Sequence, residues 1–298
     1  MRRKDDVLWK GILEDVFDDF LRFLNPDAEL LLDLDKRFEF LDKELQQVFP
    51  PENDEFSPKV VDKLVKVFTK SGDEKWILVH VEIQGQYHQD FASRMFRYYY
   101  RLLDKYNKPI TAYAIFTEAN SKTRPDSFEL DFMGTSLKYT FNTYKIASQS
   151  DEELLADENP FALVVLTAKT ALSGSGIKSS LERDGLLLDL KLVLAKQLLM
   201  RQIPKEKIRV LMNFLRYYTR FENSEINSKF EQAVEVLTER SNTMGIEELL
   251  LDRATKQGEQ QGSHDKAVAI AKEMKKDGIA IEQIAKFTKL SVEEIKKL

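Results

Sequence analysis

The chain has 298 residues, which suits one large domain or two smaller ones, and its 43% hydrophobic and 10% aromatic content excludes a disordered protein. It contains no cysteine, which excludes disulfides, thiolate metal sites and cysteine nucleophiles and leaves oxygen and imidazole as the ligands for any metal. The formal net charge of −5 argues against a uniformly basic surface, so a local basic stripe must supply any contact with nucleic acid.

The first periodic segment predicts an amphipathic helix over residues 7–24. Its apolar residues recur at spacings of three and four, with acidic residues between them: Trp9, Ile12, Leu13, Val16, Phe17, Phe20 and Leu24. The helix is expected to end near Asn25 and Pro26, because the residue before a proline disfavours the helical conformation. A polar passage with short elements follows as far as residue 54.

Residues 59–146 alternate between β-rich and helical runs. The β-rich runs are 59–69, 75–84, 110–117, 128–133 and 138–146, and a helix is predicted over 88–106. A short connection containing Gly72 joins the first two runs, which predicts an antiparallel hairpin, and Gly134 marks a second hairpin between the last two. The order of strands and helix indicates an α/β core in which the helix crosses the sheet.

Beyond about residue 150 the periodicity is helical only. The predicted helices are 159–173, 181–202, 205–219 and 223–240. After a polar stretch, short helical segments at 279–287 and 292–298 predict a packing or self-association unit, with a DNA-reading helix-turn-helix as the less favoured interpretation. The sequence thus predicts three parts: a first domain at 1–148, a helical domain at 149–250, and a polar linker with a short helical tail at 251–298.

The acidic residues of the first hairpin are the leading candidates for chemistry. Strand side chains alternate, so His80, Glu82 and Gln84 share one face of the second strand, and the neighbouring strand offers Asp62. A carboxylate within a strand is disfavoured unless it is solvated, paired or bound to a cation. Two such acids on paired strands predict a site for Mg²⁺, which prefers oxygen ligands. The alternative is that they lie on the exposed face of a half-buried hairpin.

Several longer strings resemble the Rpn family of recombination-promoting nucleases and transposases. They run from Asp62 to Val67, from His80 to Gly85 and from Asp90 to Tyr98. The phrases Leu8-Trp9-Lys10 and Phe38 to Leu45 are similar to that family too. The resemblance covers about the first 145 residues closely and the helical remainder more loosely.

The resemblance implies a PD-(D/E)xK restriction-endonuclease-like core, in which acids on two adjacent strands bind a metal ion and position the attacking water. Carried over to this chain, the metal ligands are Asp62, Glu82 and the backbone carbonyl of Ile83, with Mg²⁺ or Mn²⁺ as the cofactor. Gln84 stands where the general pattern has a lysine, as it does in other Rpn-like proteins. Glutamine can orient a water molecule by hydrogen bonding, but it carries no positive charge and takes no proton.

Two further residues are secondary candidates for the site. Glu14, on the flank of the apolar stripe of the first helix, resembles the helical acid that many such nucleases add, and its alternative role is an ordinary solvated glutamate. His80 lies two residues before Glu82, within reach of a scissile phosphate. A lone histidine is, however, more often a packed or hydrogen-bonded bystander.

The helix predicted over 88–106 offers a way for an acidic protein to hold DNA. Beside its apolar stripe lies a continuous basic row, spaced three, four and four residues apart: Arg94, Arg97, Arg101 and Lys105. Because the row follows the candidate metal strand directly, it is expected to contact phosphates flanking the cut, each contact adding salt-dependent affinity. The alternative is that these cations pair with local acids on a solvated face.

The function expected from the sequence is that of a metal-dependent DNA endonuclease in recombination or in the movement of mobile elements. Two alternatives stay open: a catalytically inactive nuclease-fold protein that binds nucleic acid or a protein partner, and a helical interaction module in residues 150–298. DNA is the expected partner, and a homodimer is expected only if both strands are cut. The amino-terminal residues lack the apolar core of a secretory signal, and no apolar run approaches the ~20 residues that cross a bilayer, so we expect a soluble cytoplasmic protein with no membrane partner.

Overall fold

The structure, a computed structural model, describes most of the first 238 residues and a few beyond them. The described residues are 2–48, 61–82, 90–120, 122–174, 177–201 and 203–238, together with 268, 271–272, 274–276 and 288. For Asp62, His80 and Glu82 the backbone is described and the side chain is not. Met1–Asn242 form one compact unit and Thr243–Leu298 a second. The three-part division expected from the sequence stays a prediction.

Seven strands and ten α-helices occur within these described ranges. The strands are β1 (Glu39–Phe40), β2 (Val61–Phe68), β3 (Glu74–Glu82), β4 (Ile110–Phe116), β5 (Ser127–Phe132), β6 (Thr135–Thr140) and β7 (Asn142–Lys145). The helices are α1 (Arg2–Asp15), α2 (Phe17–Leu24), α3 (Ala28–Leu31), α4 (Asp42–Val48), α5 (Phe91–Tyr106), α6 (Asp151–Ala156), α7 (Pro160–Ser173), α8 (Ser180–Met200), α9 (Lys205–Tyr218) and α10 (Ser224–Thr238). A short 3-10 turn, Ile146–Ser148, follows β7.

Five of the strands form one mixed sheet in the order β1-β2-β3-β4-β7. β2 pairs antiparallel with β1 and β3, while β4 runs parallel to β3 and to β7. The parallel β3 and β4 are connected through α5, which confirms the predicted crossing helix. β5 and β6 form a separate two-stranded sheet. The chain is therefore a mixed α/β protein with a largely helical second half, and both of these coarse predictions are confirmed.

Both faces of the β2–β3 pair are buried. On one face Leu64 and Leu78 have no solvent exposure and belong to a core that includes Phe91 of α5. On the opposite face Val65 and Val79 are equally buried. Full burial of such a side chain contributes about 1.5–3 kcal/mol to the free energy of folding. Apolar packing on both faces therefore stabilises the strand pair. The alternative that Asp62, His80 and Glu82 lie on an exposed face concerns side chains outside the described ones.

Helices α1 and α2 cover the sheet face that carries Val65 and Val79, and the second half of the chain packs on these two helices in turn. The ring of Phe20 meets Tyr113 of β4 at 5.6 Å and Phe161 of α7 at 5.2 Å. Trp9 meets Phe214 of α9 at 5.5 Å. Ion pairs join the same helices to the region from α9 onward: Lys207 with Asp18 and Asp19, and Arg220 with Asp5.

Two local predictions are wrong in detail. The helix predicted over 7–24 is broken at Val16, whose backbone (φ −131°, ψ 35°) is not helical, although its side chain stays buried and so continues the apolar period. The passage before residue 54 contains, as expected, short elements: α3, β1 and α4. The run 138–146 is divided at Phe141, so that β6 pairs with β5 while β7 joins the main sheet beside β4. The short helix α6 was not predicted.

Two remaining expectations concern the tail and the membrane. The predicted tail helices at 279–287 and 292–298 lie outside the described residues. Of the helices that are described, none combines the length and the apolar character needed to cross a bilayer.

Helix α8 carries two buried charged residues that hold the connection between α9 and α10. The carboxylate of Asp184 accepts hydrogen bonds from the backbone N–H groups of Glu222 and Asn223, at 2.9 and 2.7 Å. Two turns later, the fully buried ammonium of Lys191 donates to the carbonyl of Thr219 at 2.8 Å. Through these two side chains, α8 binds the backbone carbonyl at the end of α9 and the backbone N–H groups just before α10.

The surroundings of Lys191 predict a specific pH dependence of stability. Burial lowers the pKa of Lys191 to about 7, and the nearby Glu231 offsets this only in part while Arg216 adds to it. The rings of Phe221 and Phe230 lie 4.4 and 4.3 Å from the ammonium. Between this pKa and the ordinary value of 10.5 the unfolded chain binds more protons than the folded one, so stability must rise with pH in that window.

We therefore expect the free energy of unfolding to increase from about pH 7 to about pH 9.5, below the range in which tyrosines ionise. Urea unfolding followed by circular dichroism at stepped pH measures it. The variant Lys191→Met should lack the rise, because it has no proton to release at this position. A wild-type curve that falls or stays level over this range, or a rise that the variant retains, would contradict the assignment.

Candidate metal site at one end of the sheet

The candidate metal residues lie at one end of the β2–β3 pair. The register pairs Asp62 with His80, and Glu82 is the last residue of β3. Residues opposite one another in antiparallel strands share a face, and so do residues two apart on one strand. Positions 62, 80 and 82 therefore belong to one face of the sheet, the face on which Leu64 and Leu78 pack against α5.

The backbone separation of the two acids suits a shared cation. Asp62 and Glu82 are diagonal neighbours across the strand pair, a relation in which the two residues are about 7–8 Å apart. Acids at backbone positions with this separation can bind one cation between them, at Mg–O distances of about 2.0–2.1 Å. The structure thus brings the backbones of Asp62, His80 and Glu82 together, while Ile83 and Gln84 lie outside the described residues.

Elsewhere the side chains that are described form no group of three or more His, Asp or Glu suited to a metal ion. The side chains of Asp62, His80 and Glu82 are not among those described. The donor chemistry at positions 62 and 82 is nonetheless of the right kind, because carboxylate oxygens are hard ligands that Mg²⁺ and Mn²⁺ accept.

The predicted basic row runs away from this end of the sheet along α5. The helix begins after β3 has ended at Glu82 and leads back to the start of β4, which pairs beside Trp76 at the opposite end. Arg94 is therefore nearest to the candidate site and Lys105 farthest from it. With a rise of about 1.5 Å per residue, the row extends for about 16 Å.

The members of the basic row differ in their exposure and in their contacts. Arg97, Arg101 and Lys105 are exposed, and Arg94 is half-buried with its guanidinium 5.6 Å from the ring of Phe91. Arg94, Arg101 and Lys105 also interact with other groups of the protein. Exposed cations on one helix face suit contact with phosphates, and their internal contacts limit how far each one can move.

The structure places Glu14 beside Lys63 rather than beside Asp62. Lys63 is 1% exposed, and its ammonium is bound by the carboxylates of Glu14 and of Asp42, the latter at 2.5 Å. Because residues alternate along β2, Lys63 belongs to the face opposite that of Asp62. Glu14 therefore lies on the other side of the sheet from positions 62, 80 and 82, and this geometry gives no support to its role as a metal ligand.

The cluster of Glu14, Lys63 and Asp42 was missed by sequence reasoning. Its members are 49 and 21 residues apart, so no local pattern connects them. One signal was present, because Lys63 shares its strand face with the apolar Val65 and Val67. A lysine at such a position needs acidic partners, since an unpaired buried ammonium is strongly disfavoured.

The cluster predicts a graded loss of stability. The double variant Glu14→Gln/Asp42→Asn leaves a buried ammonium without an anion, and we expect it to lower the free energy of unfolding by about 3–5 kcal/mol. Adding Lys63→Met to the double variant should recover much of that loss, because no unpaired charge remains. Urea unfolding of the four proteins measures both effects.

The single variant Glu14→Gln also separates a structural role from a catalytic one. It should lower stability and leave the affinity for Mn²⁺ unchanged, because Glu14 is on the other face of the sheet. If Glu14→Gln lost as much Mn²⁺ affinity as Asp62→Asn, Glu14 would have to be assigned as a metal ligand.

A second charged cluster, also missed by sequence reasoning, lies at the same end of the sheet. Glu118 lies two residues after the end of β4 and is bound by Arg124 and, at 3.4 Å, by Lys145. Burial raises the pKa of Glu118, but hydrogen bonds from Arg124 and Asn120 outweigh it and leave the pKa below its usual value. The register places Lys145 in the same row as Glu82, two strands or about 10 Å away. The cluster carries a net positive charge near the candidate acids.

Comparisons with protein-family models, with curated proteins and with solved structures find no match to this chain. The resemblance to the Rpn family therefore rests on the sequence strings alone. The candidate site rests on those strings, on the strand register and on the distribution of charge around it.

Proposed function

We propose that this protein is a metal-dependent endonuclease that hydrolyses phosphodiester bonds in DNA, with a PD-(D/E)xK core. The observation that carries the proposal is the register of β2 and β3, in which Asp62 is diagonal to Glu82 at one end of a buried strand pair. The order β2-β3-α5-β4, with an antiparallel pair followed by a crossing helix and a parallel strand, supports the same core. A role in recombination or transposition follows from the Rpn resemblance only.

In the proposed site the chain supplies oxygen ligands and a residue that orients water. Asp62, Glu82 and the carbonyl of Ile83 would hold Mg²⁺ or Mn²⁺. When bound, such an ion lowers the pKa of a coordinated water and stabilises charge on the phosphate. Gln84 would orient the attacking water through a hydrogen bond, as donor or as acceptor. His80, opposite Asp62 in the register, is the residue proposed to contact the scissile phosphate.

The basic row of α5 is proposed to hold the DNA backbone beside the cut. Its length of about 16 Å matches about five base pairs at 3.4 Å each. Arg94 and Arg97 would contact the phosphates nearest to the scissile bond, and Arg101 and Lys105 those farther away. A local row of this kind is required because the chain as a whole has a net charge of −5.

Removal of either acid tests the site. Asp62→Asn and Glu82→Gln should each remove tight Mn²⁺ binding and abolish nicking of supercoiled plasmid in the presence of Mg²⁺, because each takes away an anionic ligand. Asp131→Asn, at an exposed aspartate of β5, is the matched control and should behave as wild type. Electron paramagnetic resonance of Mn²⁺ and a gel assay are the two readouts. Nicking that persists in both acid variants would remove the assignment.

A DNA-binding protein without catalysis is the second candidate, and Gln84 is the residue that favours it. Glutamine cannot supply positive charge to the pentacoordinate phosphate of the transition state, as a lysine would. DNA affinity together with Mn²⁺ binding at Asp62, but with no cleavage by Mg²⁺ or Mn²⁺, would select this candidate. Gln84→Lys should then be the variant that gains nicking activity.

The contribution of α5 is measurable from the salt dependence of DNA binding. Each lost phosphate contact should reduce the slope of log K against log salt by roughly 0.9, so Arg97→Ala/Arg101→Ala should reduce it by about 1.8. Lys229→Ala, at an exposed lysine of α10, is the control and should leave the slope unchanged. Fluorescence anisotropy with a labelled duplex gives the slopes. Equal effects of the double variant and the control would show that α5 makes no specific contact.

A further inference from the structure

The β5–β6 hairpin has an apolar face, and the described residues cover only its base. At the base, Phe128 and Tyr139 are paired in the register and both contact the ring of Phe96 on α5, at 5.1 and 5.8 Å. Towards the tip the same face continues uncovered. Leu130 is 56% exposed, Phe132 75%, Met133 88% and Leu137 37%. Exposed apolar surface that is contiguous in this way is typical of a protein interface.

The free edge of β6 is available to a further strand. Within the described part of the chain β6 is hydrogen-bonded on one side only, to β5. Phe132 and Thr135 pair across a two-residue turn in which Met133 and Gly134 both have positive φ, at 47° and 84°. In such a turn the N–H of Thr135 points towards β5. By alternation the backbone groups of Ser136 and Lys138 point away from β5, towards the free edge.

These directions restrict how a second copy of β6 can pair antiparallel with the first. On β6 only Ser136, Lys138 and Thr140 have backbone groups that point outward. Each hydrogen-bonded pair across the contact must therefore join one of these residues in the first copy to one of them in the second. Setting Ser136 opposite Lys138 places Leu137 opposite its own copy, with apolar side chains on one face. Moving the register by two residues would instead set Lys138 opposite Lys138, and like charges in that position are destabilising. Of these two registers, charge favours the first.

The edge of β5 is unsuited to the same pairing. An antiparallel pair of β5 strands centred on Leu130 would place Glu129 of one copy opposite Asp131 of the other, which sets two acids against each other. Glu129 is paired with Lys138 within the hairpin, and Asp131, nearer the tip, opposes the approach of DNA phosphates. A second β6 strand paired at the β6 edge fits the hairpin better than a strand paired at the β5 edge or a DNA backbone at the tip.

We propose that two copies of this protein associate through β6, so that two hairpins form one four-stranded antiparallel sheet. Leu137 lies on the two-fold axis, and Ser136 of each copy exchanges hydrogen bonds with Lys138 of the other. The antiparallel arrangement carries the Met133 tip of each hairpin towards the base of its neighbour. The contact is isologous, as expected of a two-fold homodimer, and it holds whether or not the protein cleaves DNA.

Single cysteines test the register directly, because the chain has none of its own. Residues of a pair without hydrogen bonds have Cα atoms about 4.5 Å apart, within the range of about 4.4–6.8 Å that a disulfide needs. Leu137→Cys should therefore give a covalent dimer on mild oxidation. Leu130→Cys, on the other strand of the same hairpin and more exposed, is the matched control and should give none.

A charge introduced into the same surface gives an independent measurement. Wild type should sediment as a concentration-dependent dimer, and Leu137→Lys should be a monomer at the same concentrations because two lysines would meet on the axis. Leu181→Lys, at an exposed leucine of α8, should remain dimeric. Circular dichroism and the unfolding midpoint establish that each variant is folded.

Three results would overturn the proposal. They are a wild-type monomer at every concentration, equal cross-linking of the two cysteine variants, and a Leu137→Lys variant that remains dimeric. If the wild type is a monomer and its DNA affinity falls in Leu137→Lys, the hairpin is assigned to a nucleic-acid partner.

Discussion

The burial of β2 and β3 on both faces is the constraint on which the rest of the structure depends. A slip of one residue in a strand moves every side chain to the opposite face. If β2 slipped by one residue, Lys63 would lose its contacts with Glu14 and Asp42. Depending on the direction of the slip, Asp62 or Leu64 would take its place beside those two acids. The ion cluster on one face therefore helps to determine where position 62 lies on the other, so the candidate site and the core share one register.

The helical second half stabilises the sheet indirectly, through α1 and α2. These two helices lie between the sheet and the helices that follow, and aromatic contacts of Trp9 and Phe20 connect the layers. Within the second half, Asp184 and Lys191 fix the path of the chain between α9 and α10. Buried charged groups of this kind contribute little net stability, but the hydrogen bonds that they require define one arrangement of the backbone.

Sequence reasoning succeeded where local periodicity determines structure. The hairpin of β2 and β3, the crossing helix and the helical second half were all predictable. The hairpin prediction also implied that the backbones of Asp62 and Glu82 lie close together. Their role as metal ligands stays a prediction. Contacts between distant residues were not predictable. The apolar period runs unbroken through Val16, strand pattern does not identify β4 as the partner of β7, and nothing local connects Lys63 with its two acids.

The junction between the hairpin and the main sheet is a single residue. Phe141 ends the pairing with β5 by donating its N–H to the carbonyl of Asp126 at 2.8 Å, its ring is buried in the α5 core, and the next residue already belongs to β7. No linker separates the two sheets on this side. The hairpin is therefore anchored directly to the strand that carries Lys145 and, through it, to the charged cluster around Glu118.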